Sequence, residues 1–347
     1  MPAFNRRHVF GNLEQERNRA RLAAWIVDRQ DTRFRVLGIE GEGVKQQIVD
    51  GPPTLGSALG IVFRAYSQLH GKARWGDKRP AYYSFIDELD ALFPDAQFIH
   101  VIRDGRACVA SLKRTPWFGH EPIPCMATWM MAIDCSRASG ARLGPDRFAE
   151  LRYEDLVADP EKEIRRICEF LGEQFDPAMC EPEKIADRVN PAHYKQREQI
   201  SQGIYTASLE AWRQQLAPWE VATFEQVAGD RLRRLGYELS GTGTSDAGKV
   251  RELRAEHRRL LRNLVRRRRT DRRRLVDADR PVAALLTEGQ REAAGRQVRR
   301  PLSSRLRRAA RPVLRRTAPM RSALRSLTVR RRSPATSADQ VEQIEET

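Results

Sequence analysis

The sequence has few of the features that assign a protein to a class at first sight. It contains no run of about 18 apolar residues, and its charged N-terminus lacks an apolar signal region, so neither a membrane span nor secretion is predicted. Five cysteines, an odd number without C-x-x-C or other metal-ligand spacing, argue against a disulfide framework and a structural zinc site. They are Cys108, Cys125, Cys135, Cys168 and Cys180. A reducing cytoplasm is the predicted location.

Charge is distributed unevenly along the chain. Residues 1–240 carry 33 Lys and Arg against 34 Asp and Glu, whereas residues 241–347 carry 29 against 12. A near-neutral body is not typical of a dedicated nucleic-acid-binding domain, so no specific nucleic-acid partner is predicted. Composition divides the chain into a body at 1–240, a Gly/Ser/Thr-rich linker at 241–248 and an arginine-rich tail at 249–347.

Hydrophobic periodicity in the body predicts helices that alternate with short strands. Two apolar runs bounded by turns, Gln97–Ile102 and Phe148–Tyr153, are predicted to be parallel strands of one sheet. Helices are predicted at residues 13–27, 55–69, 82–93 and 106–113, after Asp159, and on both sides of Pro218. This alternation predicts an α/β fold in which helices cover both faces of a parallel sheet.

The first predicted strand ends in Arg103-Asp-Gly, and Ser111 follows on the next helix. A guanidinium and a hydroxyl near one helix N-terminus form the outline of a phosphate site, because backbone N–H groups and the helix dipole also favour an anion there. Taken alone, an Arg-Asp pair at a strand end is more often a solvated turn or a structural ion pair. His100, inside the strand pattern, is more readily explained as a hydrogen-bonded core histidine than as a catalytic one.

Several sequence blocks accompany this strand end. They are Trp75-Gly-Asp-Lys-Arg-Pro, Phe93-Pro-Asp-Ala-Gln-Phe-Ile-His-Val-Ile-Arg-Asp-Gly-Arg-Ala-Cys-Val-Ala-Ser111, Leu151-Arg-Tyr-Glu-Asp-Leu156 and Phe170-Leu-Gly172. Their order and spacing over residues 1–240 resemble the bacterial sulfotransferases that use 3'-phosphoadenosine 5'-phosphosulfate (PAPS). The resemblance implies a P-loop-NTPase-like fold and sulfuryl transfer, with PAPS as co-substrate and no metal.

The resemblance also implies roles for individual residues. Arg103 and Ser111 match the pair that binds the 3'-phosphate of the donor, and Tyr153 matches the tyrosine beside the adenine. Lys78 matches a lysine close to the transferring group in related carbohydrate sulfotransferases, with a plain surface lysine as the alternative. Arg213 belongs to a Trp-Arg pair that occupies the place of a late Trp-Arg/Lys block of the family.

The sequence departs from the family in the loop that holds the 5'-phosphosulfate. The family opens with a strand and a Pro-Arg-Ser-Gly-Thr-Thr-type loop, and nothing in residues 1–60 resembles it. An acidic residue just past that loop, often the general base of the family, would be missing too. Tyr205-Thr-Ala207 stands where cytosolic relatives have Arg-Lys-Gly. We therefore expect the first strand and its loop to be missing, through an N-terminally incomplete reading of a gene or decay of a paralogue.

The predicted function is transfer of a sulfuryl group from PAPS to a hydroxyl or amine of a carbohydrate, lipid or small metabolite, with little activity expected of this chain. The alternative is a non-catalytic sulfotransferase-like protein that keeps the nucleotide pocket and binds a membrane or partner. A nucleotide kinase is disfavoured, because neither the G-x-x-x-x-G-K-[ST] motif nor a Walker-type Mg²⁺ ligand pattern is present.

The tail has apolar residues at helical spacing among its arginines, from Val250 to Val265 and again from Leu302 to Val329. This pattern predicts an amphipathic helix on an anionic membrane surface, which would make the protein cytoplasmic but peripheral to a membrane. Docking on the body, loose nucleic-acid binding and disorder are the alternatives. The 54 arginines against 8 lysines are also consistent with a bias in coding composition.

Overall fold

A computed structural model of the chain describes residues 10–115, 118–181 and 209–276. Its strands are Phe98–Ile102 (β1) and Phe148–Arg152 (β2). Its helices are Glu16–Asp28 (α1), Gly41–Asp50 (α2), Leu55–Leu69 (α3), Ile86–Leu92 (α4), Gly105–Leu112 (α5), Pro122–Leu143 (α6), Tyr153–Ala158 (α7), Pro160–Leu171 (α8), Trp212–Gln215 (α9), Pro218–Arg234 (α10) and Ala247–Val276 (α11). Short 3-10 helices lie at Gln30–Thr32, Phe34–Leu37, Pro80–Ser84 and Pro177–Cys180.

The residues before β1 form a helical layer with a core of its own. The Glu40 carboxylate accepts the N–H of Gly43 at 2.6 Å and begins α2, and the Thr54 hydroxyl accepts the N–H of Ser57 at 3.0 Å and begins α3. Helix α3 has the bounds that its periodicity predicts. The core of this layer is formed by Phe10, Leu13, Leu22, Ala23, Ile26, Val27, Phe34, Val44, Ile48, Leu55, Ala58, Val62 and Leu92.

The two predicted strands pair in parallel, from Phe98 beside Phe148 to Ile102 beside Arg152, which confirms this prediction. The second strand is one residue shorter than predicted, because Tyr153 already begins α7. Two large apolar side chains on one face of β1 are exposed, Ile99 to 39% and Val101 to 54%. In the part of the chain that the structure describes, helices therefore do not cover both faces of this sheet as predicted.

Behind the sheet, the long helix α6 forms the centre of a second core with α5, α10 and α11. Gly105, the first residue of α5, allows a very close approach between these helices: a Cβ at this position would lie 2.7 Å from the Phe224 ring and 2.8 Å from Trp129. Those two rings pack edge to face with centroids 5.4 Å apart. The Gly of Arg-Asp-Gly is thus required by packing, and it brings the end of β1 close to α6 and α10.

The first part of the predicted tail is a helix docked on the body. Helix α11 begins at Ala247, inside the predicted linker, and the Asp246 carboxylate accepts the N–H of Lys249 at 2.8 Å at its start. Its apolar residues Leu253 and Leu264 are buried against the body. The apolar face predicted to lie on a membrane is therefore unavailable in α11, and docking on the body describes this helix. The stretch from 302 to 329 lies outside the described residues.

Polar contacts also join α11 to the body. The Asp134 carboxylate of α6 accepts two hydrogen bonds from Arg231 of α10, at 2.8 and 2.7 Å, and lies 3.1 Å from His257 of α11. Burial alone would raise the pKa of Asp134, but the hydrogen bonds from His257 and Arg231 outweigh it, and this pKa lies below its usual value. One carboxylate thus connects three helices. Among the described residues, no helix is both long and apolar enough to span a bilayer.

Near its C-terminal end, α11 contacts the segment before α4. The Arg267 guanidinium lies over the Phe85 ring, 3.9 Å from its centroid, and donates to the Ser84 carbonyl. Arg268 lies 3.3 Å from the Asp87 carboxylate. The helix therefore holds the end of the 3-10 helix Pro80–Ser84, just after Lys78.

We predict that Arg267→Ala destabilises the fold by about 1–2 kcal/mol, because it removes a cation–π contact and a hydrogen bond to a carbonyl. Hydrogen exchange at residues 80–87 should accelerate in the variant. Arg262→Ala is the matched control, since Arg262 is an exposed arginine of the same helix. Chemical unfolding and exchange measured by mass spectrometry test this. Equal effects of the two substitutions would contradict the proposed contact.

Candidate functional site

The candidate site begins where β1 ends. Asp104 is the N-cap of α5, and its carboxylate accepts the N–H of Arg106 at 2.8 Å. The Asp104 N–H in turn donates to the Glu154 carboxylate at 2.9 Å, which ties the end of β1 to the helix that follows β2. Arg103 therefore leaves the sheet from a backbone that is hydrogen-bonded on both sides.

Glu154 explains why the Tyr-Glu-Asp-Leu block accompanies the Arg-Asp-Gly block. Its second oxygen accepts the hydroxyl of Tyr237 at 2.7 Å. Burial, and next the bond to this carboxylate, raise the pKa of Tyr237 well above its ordinary value, so the phenol stays protonated and donates. The glutamate thus links the strand end to the segment that follows α10.

The structure brings two of the predicted donor-binding residues together. The guanidinium of Arg103 lies over the Tyr153 ring, 4.9 Å from its centroid, and both residues are half-buried. The Arg103 carbonyl accepts the indole N–H of Trp129 at 3.1 Å. A cation and an aromatic ring therefore lie side by side at the carboxyl ends of the two strands.

Ser111 lies farther along α5. It is the seventh residue of the helix and is exposed, so at about 1.5 Å per residue it lies roughly 9 Å along the axis from Gly105. The hydroxyl is accessible to a ligand. That Arg103 and Ser111 converge on one phosphate stays a prediction.

Sequence analysis missed the residue that organises this region, Arg106. Its side chain is 4% exposed and donates to Asp104 at 2.6 Å and to Glu225 of α10 at 2.7 Å. Its guanidinium also lies 4.2 Å from the centroid of the Trp212 ring. Sequence signals existed in the placement of Arg106 in the first turn of a helix and in its separation by three residues from Arg103. The carboxylate that completes the cluster is 119 residues away.

Glu225 is held as an anion by several donors. Burial raises its pKa, but the N–H and hydroxyl of Ser240, the Arg106 guanidinium and the N–H of Gly241 outweigh burial, so the pKa of Glu225 lies below its usual value. Each Ser240 donor lies 2.9 Å from the carboxylate. The segment between α10 and α11 is therefore attached to the same buried cluster as the strand end.

Arg213 lies at the edge of this region. It is exposed, pairs with Glu210, and its guanidinium lies 4.5 Å from the centroid of the buried Trp212 ring. Arg106 and Arg213 thus contact the same indole. The predicted contact of Arg213 with the donor stays a prediction, and the Tyr205-Thr-Ala207 stretch lies outside the described residues.

Lys78 occupies an exposed segment between two fixed points. The ring of Trp75 stacks on Phe63 at 4.6 Å and packs edge to face on Phe93 at 5.3 Å. On the other side, the Tyr82 hydroxyl donates to the Asp77 carboxylate. Lys78 itself is exposed and forms no ion pair with any residue in the described ranges, so its ammonium group is accessible.

Arg74 attaches this segment to the sheet region. Its guanidinium donates to the Leu171 carbonyl at 2.6 Å, to Glu173 at 2.8 Å and to the side chain of Gln97 at 2.8 Å. The Gln97 amide donates in turn to the Phe170 carbonyl at 2.6 Å. The Phe-Leu-Gly block at the end of α8 thus contacts the residues just before β1, and the block containing Lys78 is held beside them.

His100 has the role expected of a core histidine. Its Nδ1 lies 3.4 Å from Glu150, whose carboxylate also accepts two hydrogen bonds from Arg137 at 3.1 and 2.8 Å. The bond to His100, followed by that to Arg137, lowers the pKa of Glu150 to about 2 despite partial burial. The imidazole and guanidinium share one carboxylate within the sheet region.

The cysteines provide no activated nucleophile in this region. Burial raises the pKa of Cys108 to about 12 and those of Cys125 and Cys135 to about 11, so these thiols stay protonated at neutral pH. Within the described ranges, no group of three or more His, Cys, Asp or Glu side chains is placed to hold a metal ion.

Known proteins share these blocks. Residues 6–177 match a family model described as "Sulfotransferase family", and residues 141–236 match one described as "Sulfotransferase domain". The nodulation protein NoeE of Sinorhizobium fredii is 30% identical over 214 residues, which cover 54% of this chain and 50% of NoeE. Protein-tyrosine sulfotransferase A of Caenorhabditis elegans is 31% identical over 157 residues, which cover 43% of this chain and 41% of that protein.

Among solved structures, the sulfotransferase domain of the Synechococcus PCC 7002 olefin synthase aligns with a TM-score of 0.44 and 26% identity, covering 60% of this chain and 80% of that one. The chain spans about half the length of the curated relatives that it matches. The two family models adjoin and overlap across the helical layer, both strands and α10. The chain belongs to the sulfotransferase family, and it is a sulfotransferase by its sequence and its fold.

Proposed function

We propose that the chain binds PAPS at the carboxyl ends of β1 and β2 and contributes to sulfuryl transfer to a hydroxyl or amine acceptor. In this proposal, Arg103 and Ser111 bind the 3'-phosphate, Tyr153 lies beside the adenine, and Arg213 approaches the nucleotide from α9. The observation that carries it is the contact between the Arg103 guanidinium and the Tyr153 ring at 4.9 Å. A phosphate and an adenine both find partners in that pair.

The buried cluster supports this assignment because it fixes the backbone that presents Arg103. Asp104 is occupied by Arg106 and by the N-terminus of α5, so it leaves the Arg103 guanidinium to other anions. A separate basic site for a 3'-phosphate is what distinguishes PAPS from ordinary nucleotides.

Sulfuryl transfer resembles in-line phosphoryl transfer, in that negative charge collects on the leaving phosphate while a base takes the acceptor proton. Lys78 is the described residue that we propose for the transferring group, since its ammonium group is exposed on a segment attached at Trp75 and Tyr82. The ammonium would stabilise charge on the sulfuryl oxygens.

The acceptor is proposed by chemical class only. The relatives include protein-tyrosine sulfotransferases and an omega-hydroxy-beta-dihydromenaquinone-9 sulfotransferase, whose names specify a tyrosine side chain and a hydroxylated lipid. These names favour a hydroxyl over an amine. We therefore propose a hydroxyl acceptor on a small molecule, lipid, carbohydrate or protein.

A non-catalytic nucleotide-binding protein is the second candidate, and one observation favours it. The described residues before β1 form helices and turns only, so this part of the chain has no strand that leads into a phosphate-binding loop. The exposed Ile99 and Val101 offer a surface that such a strand, its loop and the following helix could cover.

For donor binding, we predict that adenosine 3',5'-bisphosphate binds and that Arg103→Ala weakens the binding by roughly 2–3 kcal/mol, as expected for loss of a charge-assisted contact. Adenosine 5'-phosphate should bind much less well. Isothermal titration calorimetry measures both. Arg114→Ala is the control, because Arg114 is an exposed arginine just after the same helix. Equal affinity for the two nucleotides would refute the assignment of the 3'-phosphate site.

For turnover, we predict that the chain as printed transfers little sulfate, and that a version in which a strand and a Pro-Arg-Ser-Gly-Thr-Thr-type loop precede it is at least 10²–10³ times faster. Loss of one preorganised donor to a transition state typically costs about that factor. Radiolabelled sulfate transfer to a panel of hydroxyl acceptors compares the two. Comparable turnover by the printed chain would overturn this proposal, and Lys78→Ala in the faster version tests the lysine.

A further inference from the structure

Helix α11 presents a row of arginines on the side opposite its buried residues. We call Arg251, Arg254, Arg258, Arg262, Arg266 and Arg269 the arginine stripe; all six are exposed. Their spacing of three or four residues places them within about a third of the circumference of the helix. At about 1.5 Å per residue, the stripe is roughly 27 Å long.

The carboxylates described on this helix do not neutralise the stripe. Glu252 pairs with Lys249 at 3.0 Å, and Glu256 pairs with Arg259 at 2.6 Å. At the start of the helix, Asp246 lies close enough for Arg251 to lower its pKa, after the larger effect of the N–H groups of Lys249 and Gly248. The central part of the stripe therefore keeps its positive charge.

The opposite face fixes the stripe in place. Leu253 and Leu264 are buried, and His257 lies 3.1 Å from Asp134 on the body. The helix is therefore formed before any partner arrives, and its apolar side chains are unavailable for insertion into a bilayer. Any partner of the stripe must be recognised by charge on a preformed rod.

We propose that the arginine stripe binds the surface of a bilayer that contains anionic phospholipids. A straight rod can contact a plane along its whole length, so all six guanidinium groups reach headgroup phosphates at once. A nucleic acid fits less well, because aromatic residues are absent after Tyr237 and offer no stacking for bases. Duplex phosphates also wind around their axis and would leave a straight row within a few residues.

This mode of binding differs from that of an amphipathic helix that folds into the interface. The affinity should fall steeply with salt, since charge alone provides it. The helix content should not rise on binding, because α11 is already helical in the docked state.

The test compares two triple variants of the full chain on phosphatidylserine–phosphatidylcholine vesicles. Arg254→Gln, Arg258→Gln and Arg262→Gln together remove the centre of the stripe. The control is Arg17→Gln, Arg35→Gln and Arg64→Gln, three exposed arginines of the N-terminal helical layer, which changes the net charge equally. Sedimentation with vesicles gives the affinities, and thermal unfolding shows whether both variants keep the stability of the parent chain.

We expect the stripe variant to bind vesicles roughly a hundredfold more weakly, at about 1 kcal/mol for each arginine near an anionic surface, and the control to bind with little change. Equal weakening by both variants would overturn the proposal, as would no binding of the parent chain. So would stripe substitutions that weaken binding to RNA or DNA oligomers more than binding to vesicles. None of these readouts depends on sulfuryl transfer.

Discussion

The buried charge of Arg106 constrains the geometry of the whole candidate site. Its guanidinium and the carboxylates of Asp104 and Glu225 have side chains that are 4%, 9% and 7% exposed. Removing one partner from such a cluster would leave an uncompensated charge in the interior, which typically costs about 3–5 kcal/mol. The strand end, the first turn of α5 and the middle of α10 must therefore keep their relative positions, and the direction in which Arg103 leaves β1 follows from them.

The same cluster extends to the rest of the chain. Glu225 accepts two hydrogen bonds from Ser240, the residue just before the approach to α11, and α11 meets α6 and α10 again at Asp134. Farther along, Arg267 of α11 contacts Ser84 and so reaches the segment that carries Lys78. The nucleotide side and the Lys78 side of the site are thus connected through helices that the sequence alone assigns to a separate tail.

Local patterns predicted the elements well. Apolar runs and turn residues located both strands, and Asp159-Pro160 and Gly172 marked the ends of α8, where Gly172 adopts φ 70°. They could not predict the pairing of Arg106 with Glu225 across 119 residues, nor the partner of the apolar face of α11. A row of leucines has the same periodicity whether it packs on a bilayer or on α6, so only the tertiary structure distinguishes the two. The exposed Lys78 likewise has no local signature beyond its block.

The central claim is that the carboxyl ends of β1 and β2 form a nucleotide site organised around Arg103. A crystal structure of the chain with adenosine 3',5'-bisphosphate tests it most directly. We predict the 3'-phosphate within hydrogen-bonding distance of both the Arg103 guanidinium and the Ser111 hydroxyl, with the adenine against Tyr153 and the Arg106 cluster unchanged. A nucleotide bound elsewhere, or one that contacts Arg103 while the Ser111 side chain points to a different face of α5, would contradict it.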